Sequence, residues 1–188
     1  MDERKLIESI LAGDTAKFSC LLDAYQHMAF CIAYRILGNR EDAEEAVQDA
    51  FIKMYHALPA FRFSSKFSTW FYRVVYHTAL THSRNQCIFS GYDDIPEAAN
   101  ATDDLPEEAE AILERTDRKE IIDGVLKKLP KDDALLLSLF YLQECSVDDI
   151  HQITGLSCTN IKTKLFRGRL HFYQMLQQIM KQETADIL

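Results

Sequence analysis

Apolar residues recur every three to four positions along most of the chain, and the stripes they draw predict helices almost throughout. Leu6, Ile7, Ile10 and Leu11 form a short first stripe, with Gly13 as its stop. Asp14 is placed to cap a longer helix carrying Phe18, Leu21, Leu22, Tyr25, Ala29, Ile32, Ala33 and Ile36, which Gly38 ends. Asn39 then caps a third helix with Glu41 and Asp42 in its first turn, where the helix dipole favours acids. Its inward stripe reads Ala43, Ala46, Val47, Ala50, Phe51, Met54 and Leu58, and Pro59 closes it. A fourth helix follows, with Ser68 as the expected cap. Its apolar stripe is Phe71, Val74, Val75, Thr78, Ala79 and His82.

From residue 86 to 106 the periodicity dissolves into acids, small residues and two prolines, which reads as a linker. As a coil it would span about 25 Å, and stretched at most about 70 Å. Helical spacing resumes after Pro106 with Ile112, Ile121, Ile122, Val125, Leu126 and Leu129, with a break expected near Thr116 and a stop at Pro130. The nearly all-apolar run Asp132 to Leu142 predicts a core helix. Ser146 to Asp149 resembles a capping box opening a short helix with Ile150 and Ile153 inward. Gly155 turns the chain, and Ser157 caps a last helix running to about Met180. Helix, glycine-containing turn and helix at this spacing is a helix-turn-helix. The expected fold is therefore all-α: two helical domains, residues 1–85 and 107–188, joined by a flexible acidic linker at 86–106.

Charge sharpens this division. The net charge of −8 looks wrong for a nucleic-acid binder, but residues 93–114 alone carry nine acids and no base. Residues 1–92 are balanced at ten of each sign, and residues 115–188 carry eleven bases against ten acids. Five cysteines without a C-x-x-C pair argue against a disulfide framework and a zinc site. The first residues lack an apolar leader and no run reaches membrane length, so a reduced, cytoplasmic protein without membrane insertion is expected. Asp23, His27 and Cys31 share one helical stripe, but a single stripe supplies no fourth ligand, and they read as solvated or packed residues. No Gly-rich phosphate loop or nucleophile motif occurs. Asp148-x-x-His151 is a single instance where a di-iron bundle needs paired Glu-x-x-His motifs. Neither an enzyme, a cofactor nor a small-molecule substrate is expected.

Three stretches carry candidate binding chemistry. Between Phe61 and Tyr76 seven aromatics (Phe61, Phe63, Phe67, Trp70, Phe71, Tyr72, Tyr76) interleave with Arg62, Lys66 and Arg73. Trp70, Arg73, His77, Thr81 and Arg84 share the face away from the apolar stripe. Rings beside cations suit unpaired bases on a phosphate backbone, each stack being worth roughly 1–3 kcal/mol. A Phe-rich core helix with a solvated basic face is the plainer alternative. The third helix presents Glu41, Glu44, Glu45, Gln48, Asp49 and Ile52 outward, a solvated face or a docking surface for a basic partner. In the last helix Ile161 and Leu165 face inward. Thr159, Asn160, Lys162, Thr163, Lys164, Phe166, Arg167 and Arg169 are expected to be free for phosphates and base edges.

Taken together, these segments resemble the small bacterial sigma factors of the extracytoplasmic-function type. G-D-x-x-x-F at Gly13–Phe18, the run R-I-L-G-N-R-E-D-A-E-E-A-V-Q-D-A-F at Arg35–Phe51 and F-S-T-W-F-Y-R at Phe67–Arg73 are similar to region 2 of that family. L-P-K at Leu129–Lys131 and G-L-S-x-x-x-I-K-x-K-L-x-R-G-R at Gly155–Arg169 are similar to region 4. The resemblance implies core RNA polymerase and promoter DNA as partners, with an anti-sigma factor as regulator. It implies polymerase docking by Asp42, Glu45, Gln48, Asp49 and Ile52. It implies melting and capture of the −10 element by Arg62, Phe63, Ser64, Ser65, Lys66, Trp70, Arg73, His77, Thr81 and Arg84. It implies reading of the −35 element by Ser157, Thr159, Asn160, Lys162, Thr163, Lys164, Phe166, Arg167 and Arg169. His77 and Thr81 stand where many members have Asn and Asp. His151 replaces a usual small residue and is expected to crowd the helix-turn-helix, and Gly168 replaces a usual Ala and is expected to loosen the last helix. A stand-alone helix-turn-helix regulator is the alternative, and it leaves the aromatic–basic stretch without a role.

Overall fold

The computed structural model describes residues 3–86 and 118–185, and every regular element among them is helical. Helix α1, Glu3–Leu11, buries Leu6, Ile7 and Ile10. Gly13 then turns the chain at φ +107°, its N–H donating to the Ile10 carbonyl at 3.0 Å. Asp14 does not cap a long helix as expected. Its side chain makes no capping bond and instead pairs with Lys17 at 3.1 Å, across a 3-10 turn at Thr15–Lys17. Helix α2, Phe18–Leu37, ends where Gly38 takes φ +87° and donates to the Tyr34 carbonyl at 2.8 Å. The Asn39 side chain accepts from the Asp42 N–H at 2.8 Å and opens α3, Arg40–Ala57. Pro59 lies in a 3-10 turn at Leu58–Ala60. Helix α4, Phe67–Gln86, starts one residue before Ser68, which therefore sits in the first turn and not at the cap.

Helices α2, α3 and α4 pack pairwise against one another. Fully buried alanines (Ala29, Ala33, Ala43, Ala46, Ala50) let them approach closely, and Ile32, Met54, Phe71 and Val75 fill the space between. Each large side chain so buried contributes about 1.5–3 kcal/mol.

Helix α5, Arg118–Lys128, is followed by Pro130 and α6, Lys131–Leu137. The expected single helix over Asp132 to Leu142 instead widens into a π-turn at Ser138–Leu142. Helix α7, Val147–Thr154, ends at Gly155, whose φ is +77°. The Ser157 hydroxyl then accepts from the Asn160 N–H at 3.2 Å and caps α8, Cys158–Ala185, which runs past the expected end near Met180. Helix α8 packs on α6 and α5.

The chain divides into two compact units. Helices α1 to α4 form one together with Asp148–Gly155, and α5, α6 and α8 lie in the other. Gln86 ends α4, and the rest of the expected linker, the helix start after Pro106 and the break near Thr116 lie outside the described residues.

A candidate interface for nucleic acid and polymerase

Most rings of the aromatic stretch belong to the core. Phe61, Phe67, Phe71 and Tyr72 are buried. Tyr25 of α2 meets Phe67, Phe71 and Tyr72 edge-on at centroid distances of 5.3, 5.9 and 6.0 Å, and Phe51 of α3 meets Phe71 at 4.8 Å. Burial first, and the hydrogen bond to Glu3 second, push the Tyr25 hydroxyl well above the usual tyrosine range. The plainer reading of the stretch thus accounts for these rings. Phe63, Trp70 and Tyr76 are only half-buried. Trp70 leans on Phe61 at 5.0 Å and Phe67 at 5.5 Å.

On the same helix Arg73, His77, Thr81 and Arg84 are exposed. Partial desolvation of the ring by its neighbours, then the positive charges of Arg73 and Arg84, hold the His77 imidazole below its usual range, although the residue is exposed overall. The Thr81 hydroxyl donates back to the His77 carbonyl at 2.9 Å. In the loop before α4, Arg62 and Ser64 are exposed and Ser65 half-buried. Phe63 holds φ +53°, the left-handed region, which costs a non-glycine residue of order 1 kcal/mol. Its ring packs on Phe61 at 4.8 Å and lies under the Arg4 guanidinium at 5.0 Å. No local signal marks Arg4, because it reaches the loop from another helix. Lys66 is exposed and pairs with Asp149 at 3.3 Å, and the buried Thr69 hydroxyl donates to the other oxygen of that carboxylate at 2.9 Å.

The outward face of α3 is less uniform than the sequence suggests. Glu45 and Gln48 are exposed, and Ile52 is 57% exposed beside them. Asp42 is half-buried, and its carboxylate accepts from the Asn39 side-chain amide as part of the cap. Asp49 meets Nε2 of His82 at 2.9 Å and so ties α3 to α4. Lys53 donates to the buried Thr78 hydroxyl at 3.2 Å, a second tie between these helices.

The start of α8 is open: Ser157, Thr159, Asn160 and Lys162 are exposed. Beyond it the expectation of free cations needs correction. The Thr163 hydroxyl donates to the Thr159 carbonyl at 3.0 Å. Lys164 is 12% exposed and pairs with Asp132 of α6 at 2.8 Å. Arg167 donates to Asp133, a carboxylate with no exposed surface, at 2.8 Å, and Nδ1 of His171 lies 3.1 Å from its other oxygen. Losing the arginine would leave this buried carboxylate with His171 alone, which the low-dielectric interior opposes. Phe166 is exposed, and Arg169 lies 3.4 Å from the Tyr141 hydroxyl.

Gly168 does not loosen this helix. It is buried, and a Cβ there would stand 3.3 Å from the Asp133 Cβ and 3.4 Å from Leu137, so glycine permits a close approach of α8 to α6. His151, expected to crowd its surroundings, is exposed. His27 and Cys31 stand 4.0 Å apart on α2, and among the described residues no group of three or more His, Cys, Asp and Glu is arranged to hold a metal. Nor is any described helix long and apolar enough to cross a membrane.

Two known families match successive segments of the chain. The Sigma-70 region 2 family matches residues 21–87, and the Sigma-70 region 4 family matches residues 119–172. The ECF RNA polymerase sigma factor SigW of Bacillus subtilis (strain 168) is 28% identical over 185 residues, covering 94% of this chain and 97% of that protein. The RNA polymerase sigma-H factor of Pseudomonas aeruginosa is 26% identical over 187 residues, 96% of each. The ECF RNA polymerase sigma-E factor of Escherichia coli (strain K12) is 26% identical over 188 residues, covering 96% of this chain and 97% of that one. Two solved structures share the fold. One is the sigma factor RpoE in complex with the anti-sigma factor NepR from Bartonella quintana (TM-score 0.60, 18% identity, 85% of this chain and 96% of that chain). The other is CnrH in complex with the cytosolic domain of CnrY (TM-score 0.59, 20% identity, 93% and 97%). With both sigma regions matched in order and relatives aligned from end to end, the chain belongs to the sigma-70 family, as an RNA polymerase sigma factor of the extracytoplasmic-function type.

Proposed function

We propose that this sigma factor divides promoter recognition between its two units while core RNA polymerase holds them in register. Glu45, Gln48 and Ile52 of α3, flanked by Asp42 and Asp49, dock on the polymerase. The loop from Arg62 to Lys66 and the face Trp70, Arg73, His77, Thr81, Arg84 open the −10 element and hold its unpaired strand. Ser157, Thr159 and Asn160 present the start of α8 to the −35 element. All of this work is binding, with no bond made or broken, and it takes place in the cytoplasm. An anti-sigma factor is the expected regulator, since the fold is shared with a sigma factor in complex with one.

The observation that carries this reading is the pairing of two unlike faces on adjacent helices of one unit. An open acidic face with an exposed Ile52 lies on α3, and an open basic face with a half-covered Trp70 lies on α4. An exposed aliphatic ringed by acids offers a basic partner both charge complementarity and an apolar spot to cover. Glu45→Lys and Ile52→Glu are expected to weaken binding to core polymerase at least tenfold each, with melting temperature unchanged. Both variants binding core polymerase as tightly as the wild type would remove α3 from the interface.

A further inference from the structure

The two inner cations of α8 are held in different ways. Lys164 is itself only 12% exposed, but the carboxylate it meets, Asp132, is 68% exposed, so losing this pair leaves an anion that water solvates. Arg167 meets Asp133, which has no exposed surface. The Arg167 Nε is buried without a hydrogen-bond partner, so the guanidinium is oriented by its inward bond alone. That bond raises the Arg167 pKa above its ordinary value. One turn along α8, His171 reaches the same carboxylate, and Gly168 between them lets the α8 backbone close on Asp133 and Leu137. A phosphate that drew Arg167 outward would leave the Asp133 charge buried and short of its strongest partner, which the low-dielectric interior opposes. Lys164 faces no such barrier.

We infer that Arg167 is a positioning residue and not a phosphate contact: with Asp133, His171 and Gly168 it fixes the rotation of α8 on α6. That rotation sets which way Thr159 and Asn160 point. The salt-dependent part of DNA affinity then falls to cations such as Lys162 and Lys164. The inference rests on the DNA-reading role proposed above for α8.

The test uses the full chain reconstituted with core polymerase, on duplex promoters that differ only in the −35 element, with binding followed against salt. Neutralising a phosphate contact lowers the slope of log affinity against log salt by about one, and Lys162→Ala is expected to do so. Arg167→Gln is expected to lower the melting temperature of the chain and to erase discrimination among −35 variants. Asp133→Asn combined with Arg167→Gln is expected to restore both, with affinity within about twofold of wild type and an unchanged salt slope. A double variant that regains its melting temperature yet binds with a slope lower by about one would make Arg167 a phosphate contact and overturn the inference. If the polar double variant folds poorly, Asp133→Leu with Arg167→Met takes its place. Failure of both doubles to regain stability would also overturn the inference, because an uncompensated Asp133 would then not be the cause of the loss. Wild-type holoenzyme indifferent to the −35 sequence would remove the DNA-reading role itself, and this inference with it.

Discussion

Helices α4 and α8 look alike as sequences, each mixing cations with aromatics, and the structure treats the two mixtures in opposite ways. In α4 the rings turn inward: Phe67, Phe71 and Tyr72 pack on Tyr25 and Phe51, while Arg73 and Arg84 stay exposed. In α8 it is the inner cations that turn inward, to Asp132 and Asp133, while Phe166 stays exposed. The difference lies in what each helix packs against. Facing the rings of α4 are the apolar stripes of α2 and α3, so rings fill the gap. The carboxylates that reach this helix, Asp49 and Asp149, meet His82, Lys66 and Thr69 instead. Facing α8 is α6, whose first turn holds two acids. Residue type alone therefore does not tell a binding cation from a structural one. The partner across the interface decides.

The first way to break the comparison is to attack the ring cluster. Phe71 is fully buried and touches rings from α2, α3 and its own helix. Phe71→Ala is expected to cost the first unit about 3–5 kcal/mol, read by chemical denaturation. A loss under about 1 kcal/mol would mean that the rings of α4 are not its core.

A smaller effect sharpens the other half of the contrast, the open basic face of α4. His77 has its pKa depressed by partial desolvation and by Arg73 and Arg84, so it is neutral in the free chain near neutral pH. On the proposed role of this face, a phosphate held by Arg73 would favour the imidazolium, so capture of a single strand is expected to take up a proton. Affinity of the holoenzyme for an unpaired −10 strand should rise as the pH falls from about 7 to about 6, by at most about tenfold for one linked proton. Stability has the opposite sign. The unfolded chain binds this proton first, so the free protein loses stability as the pH falls from the usual histidine value towards the depressed one. His77→Gln should flatten both responses. The same pH dependence of strand affinity in wild type and His77→Gln would take His77 off the strand path.

Much of this was legible in the chain, and what was legible is local. Gly38, Asn39 and Ser157 act within four residues of themselves, and each does what its type predicts. Helix stripes are local in the same sense, which is why Ile161 and Leu165 were identifiable as inward residues. Asp14 and Ser68 missed by a turn or less, because a 3-10 turn and an earlier start compete with capping at little cost. What could not be read depends on partners distant in sequence. Arg167 and Asp133 are 34 positions apart, and nothing in the run K-L-F-R-G-R says that one arginine faces a buried acid. The role of Gly168 follows from the same contact, so its cost as a helix residue was visible and its benefit was not. Arg4 over Phe63 is a third case, joining α1 to a loop that only the fold brings near it.

The central claim is that the two units read different parts of one promoter, and one experiment addresses it most directly. Holoenzymes carrying Trp70→Ala or Asn160→Ala are compared on promoters varied only in the −35 element, with permanganate reactivity of the −10 thymines followed alongside. Trp70→Ala is predicted to suppress −10 reactivity while keeping the wild-type ranking of −35 variants. Asn160→Ala is predicted to keep −10 reactivity on the preferred promoter and to relax preference at one −35 base pair by roughly 1–3 kcal/mol. Normal opening with Trp70→Ala, together with an equal loss on every −35 variant with Asn160→Ala, would contradict the division.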